Sequence, residues 1–180
     1  MEYYTIFSEL IRKPFQETDL IWGIVPLYFS WAFAELTGDK PNFKTAIQTG
    51  FNLLWAGAQW TWHPAQQIWQ KVQQHGIEGH LNLGVSFTVN VIVTALTIAL
   101  GTLALYSGLR RRFPKYFSFL GHNRFSSYFT ITMFPIQTNH IQWTWDHLIA
   151  IMIFAVPTWV GLSLLRRALS TFRSARGSRR

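Results

Sequence analysis

Residues 84–109 read GVSFTVNVIVTALTIALGTLALYSGL, a run without a charged residue that ends directly before Arg110, Arg111 and Arg112. A helix needs about 20 consecutive, mostly apolar residues to cross the hydrocarbon core of a bilayer, and this run is long enough. Basic residues at the end of such a segment are typical of the cytoplasmic side of a membrane. The run therefore predicts a membrane-spanning helix whose C-terminal end faces the cytoplasm.

The composition of the whole chain agrees with a membrane protein. Only 13% of its 180 residues are charged, compared with roughly 25% in average soluble domains. Charged residues are absent from the stretches 20–34, 45–70, 72–77, 79–109, 125–145 and 147–165. The absence of cysteine excludes disulfides and thiolate chemistry. Residues 1–19 lack the basic start and the small-residue cleavage site of a signal peptide.

The pattern predicts an all-α integral membrane protein built as a five-span helix bundle. The expected spans are residues 20–36, 43–62, 84–109, 125–141 and 147–165. Pro135 is expected to kink or shorten the fourth span, and a re-entrant fourth segment is the alternative. Residues 1–19 carry apolar side chains at near-helical spacing, which predicts an amphipathic N-terminal segment at the membrane interface.

The basic residues predict how the bundle is oriented. The cluster at 110–115 and the tail at 166–180 both belong on the cytoplasmic side of a cell membrane, so an even number of spans must separate them. This favours a multi-pass protein with its N-terminus outside and its C-terminus in the cytoplasm. Anionic lipid headgroups are the expected partners of the basic side chains. The candidates are Arg110, Arg111, Arg112, Arg166, Arg167 and Arg173. Only Phe172 interrupts the basic tail with a ring, so no nucleic-acid partner is expected.

The tetrapeptide QWTW occurs twice, at 59–62 and 142–145, each time beside a histidine. The predicted topology places both copies on the outer face, where the second span ends and the fifth begins. The residues before them differ, FNLLWAGA against FPIQTNHI, which argues against an internal duplication. Indole rings favour headgroup depth. An outer aromatic belt is therefore predicted from Trp22, Trp60, Trp62, Trp143 and Trp145.

Polar side chains recur at helical spacing in the second and third spans. The second carries Thr45, Gln48, Asn52 and Gln59, and the third carries Ser86, Asn90, Thr94 and Thr97. One interpretation is hydrogen bonding between the two helices, with close approach at Ala46, Gly50, Gly57 and Gly101. The other is an outward-open polar cleft that holds a ligand or passes a solute. Its predicted lining is Gln48, Asn52, Gln59, Asn90, Thr94 and Thr97, with the tryptophans at its mouth.

Three histidines stand at the predicted outer ends of different spans: His63, His140 and His147. Imidazoles at matched depth could ligate haem or, together with Asp146, a metal ion. Interfacial histidines that are merely solvated are the plainer interpretation. The stretch QTNHIQWTWD around His140 is expected to be a loop. No hydrolase, metalloprotease, phosphate-binding or prenyl-diphosphate motif is present.

Taken together, these patterns favour a non-enzymatic subunit that serves as a scaffold or in solute passage. It is expected to work as a homo-oligomer or with other membrane subunits. The first alternative is a redox subunit that binds haem or quinone through His63 and either His140 or His147. The second is a membrane enzyme that acts on a lipid-linked substrate.

Overall fold

The computed structural model describes residues 2–37, 43–75, 85–111 and 123–177, and their side chains except at 33–37, 71, 74–75, 85–86, 123 and 165–177. This part of the chain forms six α-helices and contains no strand. The helices are α1 (Glu2–Gln16), α2 (Thr18–Thr37), α3 (Phe43–His75), α4 (Val85–Arg110), α5 (Asn123–Gln137) and α6 (Trp145–Gly177). The predicted all-α class is confirmed.

Two helices are long and apolar enough to cross a membrane, over Phe87–Arg110 in α4 and Trp145–Leu164 in α6. Only 22% of the first segment and 11% of the second is buried inside the protein. The core helix of a soluble protein would be mostly buried, and neither segment is near the N-terminus, as a signal sequence would be. The segments therefore support association with a membrane. The other predicted spans, in α2, α3 and α5, do not meet the same criteria of length and apolar composition.

Helix α5 lies at the centre of the fold. All residues from 131 to 138 are buried, and α5 contacts α1, α2 and α3. Its Phe134 belongs to an apolar core that includes Leu10 of α1 and Ile24 of α2. Pro135 lies inside the helix, which continues to Gln137. The span predicted over 125–141 is thus a shorter helix, about 22 Å long at 1.5 Å per residue.

Helices α3 and α4 approach each other closely at glycines. A Cβ atom added at Gly50 would lie 2.6 Å from the backbone nitrogen of Leu105 and 2.9 Å from the carbonyl oxygen of Gly101. One added at Gly101 would lie 3.0 Å from the backbone nitrogen of Leu54. A larger residue at Gly50 would force the two backbones apart, because the three nearest atoms there all belong to the backbone. The close approach predicted at these glycines is present.

Helix α1 is amphipathic, as predicted for the N-terminal segment, but its apolar side covers protein. Leu10 is fully buried. The ring of Phe7 stacks on that of Phe154 in α6, with 4.5 Å between centroids, and lies 6.4 Å from the ring of Tyr128 in α5. The segment expected at the membrane interface therefore packs along the bundle.

Helices α3 and α6 extend beyond the predicted spans. Each has 33 residues, or about 50 Å, which exceeds the roughly 30 Å of a hydrocarbon core. Helix α3 passes the predicted boundary at Trp62 and reaches His75, and α6 continues through most of the basic tail to Gly177. The tail is thus largely helical rather than a separate segment.

Candidate functional site

The chain turns sharply where α5 ends. Asn139 has φ 61°, in the left-handed region that asparagine adopts more readily than most residues. The backbone N–H groups of His140 and Ile141 both donate to the carbonyl oxygen of Pro135, each at 3.0 Å. A left-handed residue just past the last turn is a common way to close a helix. This turn fixes the positions of Thr138, Asn139 and His140.

Side chains from three other helices hold the turn. Asp19 of α2 lies 3.2 Å from Nε2 of His140, and Gln67 of α3 donates to the carbonyl oxygen of Thr138 at 3.3 Å. From α4, Asn90 donates to Oδ1 of Asn139 at 3.0 Å, and Thr94 donates to Oε1 of Gln137 at 3.3 Å. With the adjacent His63, these residues form what we call the polar cluster: Asp19, His63, Gln67, Asn90, Thr94, Gln137, Thr138, Asn139 and His140.

Two histidines meet in the polar cluster. The rings of His63 and His140 have centroids 6.2 Å apart and planes at 84°. Nδ1 of His140 faces the carbonyl oxygen of Thr138 at 3.0 Å and its Nε2 faces Asp19.

The third predicted ligand, His147, does not join the other two. Its Nδ1 pairs with the hydroxyl of Thr144 at the start of α6. Across the described residues, no group of three or more His, Cys, Asp or Glu side chains could hold a metal ion. Both ring nitrogens of His140 are already engaged, so this arrangement leaves none to ligate a metal or a haem iron. The metal and haem hypotheses remain predictions.

The predicted cleft residues turn towards α5 and α2. Asn52 is fully buried and donates to the hydroxyl of Ser127 in α5 at 3.1 Å. The side chain of Gln59 lies beside Gly23 of α2. The hydroxyl of Thr97 donates to the carbonyl of Val93 in its own helix, at 2.8 Å. Gln48 is half-buried on α3.

The register between α3 and α4 explains why the polar stripes do not face each other. Gly57 lies against Ile98, so Asn90, eight residues before Ile98, is level with about residue 65 of α3, beyond the predicted end of the second span at Trp62. Helix α3 continues past this point to His75. The interface between α3 and α4 is formed by close contacts at glycines. Asn52, Asn90 and Thr94 instead bond to α5 or to the turn that follows it.

In both QWTW copies, one tryptophan is packed in the protein and the other is exposed. In each, the first tryptophan points inward: Trp60 is buried, with its ring edge-on to Phe129 at 6.1 Å, and Trp143 packs against the core. The second points outward, with Trp62 61% and Trp145 78% exposed. The exposed part of the predicted belt is therefore Trp22, Trp62 and Trp145.

The polar cluster retains unused hydrogen-bonding capacity. Nε2 of Gln137 and Oδ1 of Asn90 are both buried and have no hydrogen-bond partner among the described residues. One is a donor and the other an acceptor. Buried polar atoms in this state are usually satisfied by water or by a bound polar group. The nearby indole nitrogens of Trp60 and Trp143 are also buried without a partner in the described part of the chain.

Several residues of the polar cluster were not selected from the sequence, namely Asp19, Gln67, Gln137, Thr138 and Asn139. Asn139 carries a local signal, because it stands between two polar residues in a segment expected to be a loop. The others could not be identified without knowing which helices are neighbours.

The predicted lipid-binding arginines lie mostly beyond the described side chains. Arg110 and Arg111 are exposed at the end of α4, where the guanidinium of Arg110 sits 5.7 Å from the ring centroid of Tyr106. Arg112 lies outside the described residues, as do the side chains of Arg166, Arg167 and Arg173. Lipid binding by this set remains a prediction.

Comparison with known proteins adds no assignment to this geometry. No protein-family model matches the chain, and no curated protein or solved structure does.

The bond between Asn52 and Ser127 provides a first test of the packing around α5. In a double-mutant cycle with Asn52→Ala and Ser127→Ala, we expect a coupling free energy of about 0.6 kcal/mol, and at most about 1.7. Each single variant should cost more than this coupling, because both side chains make a further interaction. Unfolding free energies in mixed micelles measure all four states. Additive effects of the two substitutions would show that the bond does not form.

Proposed function

We propose that this protein is a multi-pass membrane protein in which α2 to α6 all cross the membrane. The polar cluster supports this, because it joins the start of α2 and of α4 to the end of α5 and a late turn of α3. Helices that meet in this way alternate in direction. At the other end, Arg124 near the start of α5 donates to the hydroxyl of Ser163 near the end of the apolar segment of α6, at 3.2 Å.

The proposed orientation places the polar cluster outside and the basic ends inside. Arg110, Arg111 and Arg124 lie at the end away from Asp19, which agrees with the positive-inside rule for a cell membrane. Helix α1 ends next to Asp19, and the rest of the helix packs along α5 and α6. Helix α2 also exposes large apolar side chains, among them Trp22, Val25 and Phe29, as a lipid-facing helix would.

Its role is proposed to be that of a non-enzymatic, scaffold-type subunit of a membrane assembly. The observation that supports this role is that buried polar side chains form hydrogen bonds between helices. Asn52, Thr94 and Asn90 each bond to α5 or to the turn that follows it. Groups that bind helices together in this way stabilise one arrangement of the bundle.

Solute passage is the second candidate, favoured by one observation. The unpartnered atoms of Gln137 and Asn90 give the polar cluster a donor and an acceptor that a passing or bound polar molecule could use. A redox role finds less support, since His140 has no ring nitrogen available for a haem.

Native mass spectrometry of the protein, gently extracted from its own membrane, tests the proposed role. A homo-oligomer or a complex with other membrane subunits is the expected result. A complex that carries an additional mass matching a haem or a quinone would replace the scaffold proposal with a redox subunit. A strictly monomeric protein would contradict the proposal.

A further inference from the structure

Helix α1 carries a polar stripe on the side turned away from the bundle. Its members recur every three or four residues, so they lie on one helix face, and all are exposed. They are Glu2, Thr5, Glu9, Arg12 and Gln16. The other side of the helix buries Leu10 and Pro14 against the bundle.

The polar stripe lies at the depth of the apolar segment of α6. The C-terminal end of α1 adjoins Asp19, which is part of the polar cluster. Phe7 lies about 14 Å along the helix from Gln16, at 1.5 Å per residue. Its ring stacks on that of Phe154, in the middle of the apolar segment Trp145–Leu164. Around Phe154, α6 exposes apolar side chains, including Met152 and Val156.

Contact with lipid is unfavourable for the charged side chains of the polar stripe. Ionisable side chains within the hydrocarbon region are costly, and they almost always face other protein or a water-filled cavity and form pairs. Among the described residues, neither Glu9 nor Arg12 has an ion-pair partner. Within the proposed membrane arrangement, the exposed apolar face of α6 can be covered by lipid, but the stripe on α1 requires a polar neighbour.

We propose that the polar stripe of α1 is the interface with a second copy of this chain. This inference rests on the membrane arrangement proposed above and names the surface through which the protein self-associates. Glu9 and Arg12 stand one helical turn apart and carry opposite charges, so the stripe is self-complementary. In a pair related by a two-fold axis along the membrane normal, Arg12 of each copy reaches Glu9 of the other. The two ion pairs remove both charges from contact with lipid.

A charge-swap experiment in lipid nanodiscs tests this interface. Native mass spectrometry of the wild-type chain is expected to show a dimer of two 20.9 kDa chains. Glu9→Arg and Arg12→Glu each place like charges together, so each should weaken dimerisation at least about tenfold. The double variant restores opposite charges in reversed order and should recover most of the dimer. Gln70→Arg, at an exposed site on α3, is the control that should leave the dimer unchanged.

The outcomes separate this inference from the proposal beneath it. A dimer that is indifferent to both reversals, or a double variant no better than the single ones, would overturn the interface while leaving the membrane arrangement intact. A wild-type monomer would also overturn it, and would point to water or a different subunit against α1. Recovery by the double variant excludes misfolding as the cause of the single-variant defects. A chain found in the soluble fraction would instead refute the membrane proposal.

Discussion

Gly50→Leu is expected to separate α3 from α4 and to destabilise the fold by about 3 kcal/mol or more. Overpacking a well-filled interface usually costs about 1–3 kcal/mol, and the cost should lie at the upper end because backbone atoms obstruct the new side chain. A Cβ at this position would already lie 2.6 Å from the backbone nitrogen of Leu105. The free energy of unfolding in mixed micelles measures the effect.

Gly161→Leu is the matched control for this substitution. Gly161 lies in α6, and a Cβ added there would meet nothing within 4 Å among the described atoms. We expect its effect to stay within about 0.5 kcal/mol, as is usual for exposed sites. Similar losses in the two variants would contradict the account, because helix propensity favours leucine over glycine at both sites and only Gly50 lies at the close approach of α3 and α4.

Val156→Arg is expected to impair membrane insertion of α6. Val156 is 68% exposed and lies near the middle of Trp145–Leu164. An arginine at the centre of a membrane helix costs about 2.5–3.5 kcal/mol on insertion scales, whereas an exposed arginine in water changes stability by no more than about 0.5 kcal/mol. The fraction of protein that resists carbonate extraction from membranes reports the difference.

The control for this prediction is Gln70→Arg, on the part of α3 that continues beyond the predicted span. Gln70 is exposed and, in the proposed orientation, stands outside the hydrocarbon core. Its substitution should leave membrane extraction unchanged. If Val156→Arg behaved in the same way, the exposed face of α6 would have to be in contact with water.

Helix positions follow well from the sequence where charge and apolar composition change together. The run at 84–109 ends at Arg110, and α4 ends at the same residue. The loop expected around His140 is present as the turn that closes α5. Helix α3 continues past the predicted span, which ends at Trp62, and runs through the polar residues that follow to His75.

What the sequence could not provide is which helices are neighbours. Helix α5 lies at the centre of the fold although it contains several polar residues, because its buried threonine hydroxyls bond to its own backbone. Thr130, for example, donates to the carbonyl oxygen of Ser126 at 2.9 Å. The spacing along each helix groups the polar residues of α3 and α4 into stripes. Their partners lie on α5 and the turn after it, which spacing along a single helix does not reveal.

The arrangement of five crossing helices is tested most directly by side-specific cysteine labelling in intact cells. The chain contains no cysteine, so single cysteines at Gln70, Arg111 and Ser174 can be introduced without removing any native residue. A membrane-impermeant maleimide added from outside is predicted to label Gln70→Cys at once, and to label Arg111→Cys and Ser174→Cys only after the membrane is permeabilised. Labelling of Gln70→Cys and Ser174→Cys from the same side would contradict the proposed topology.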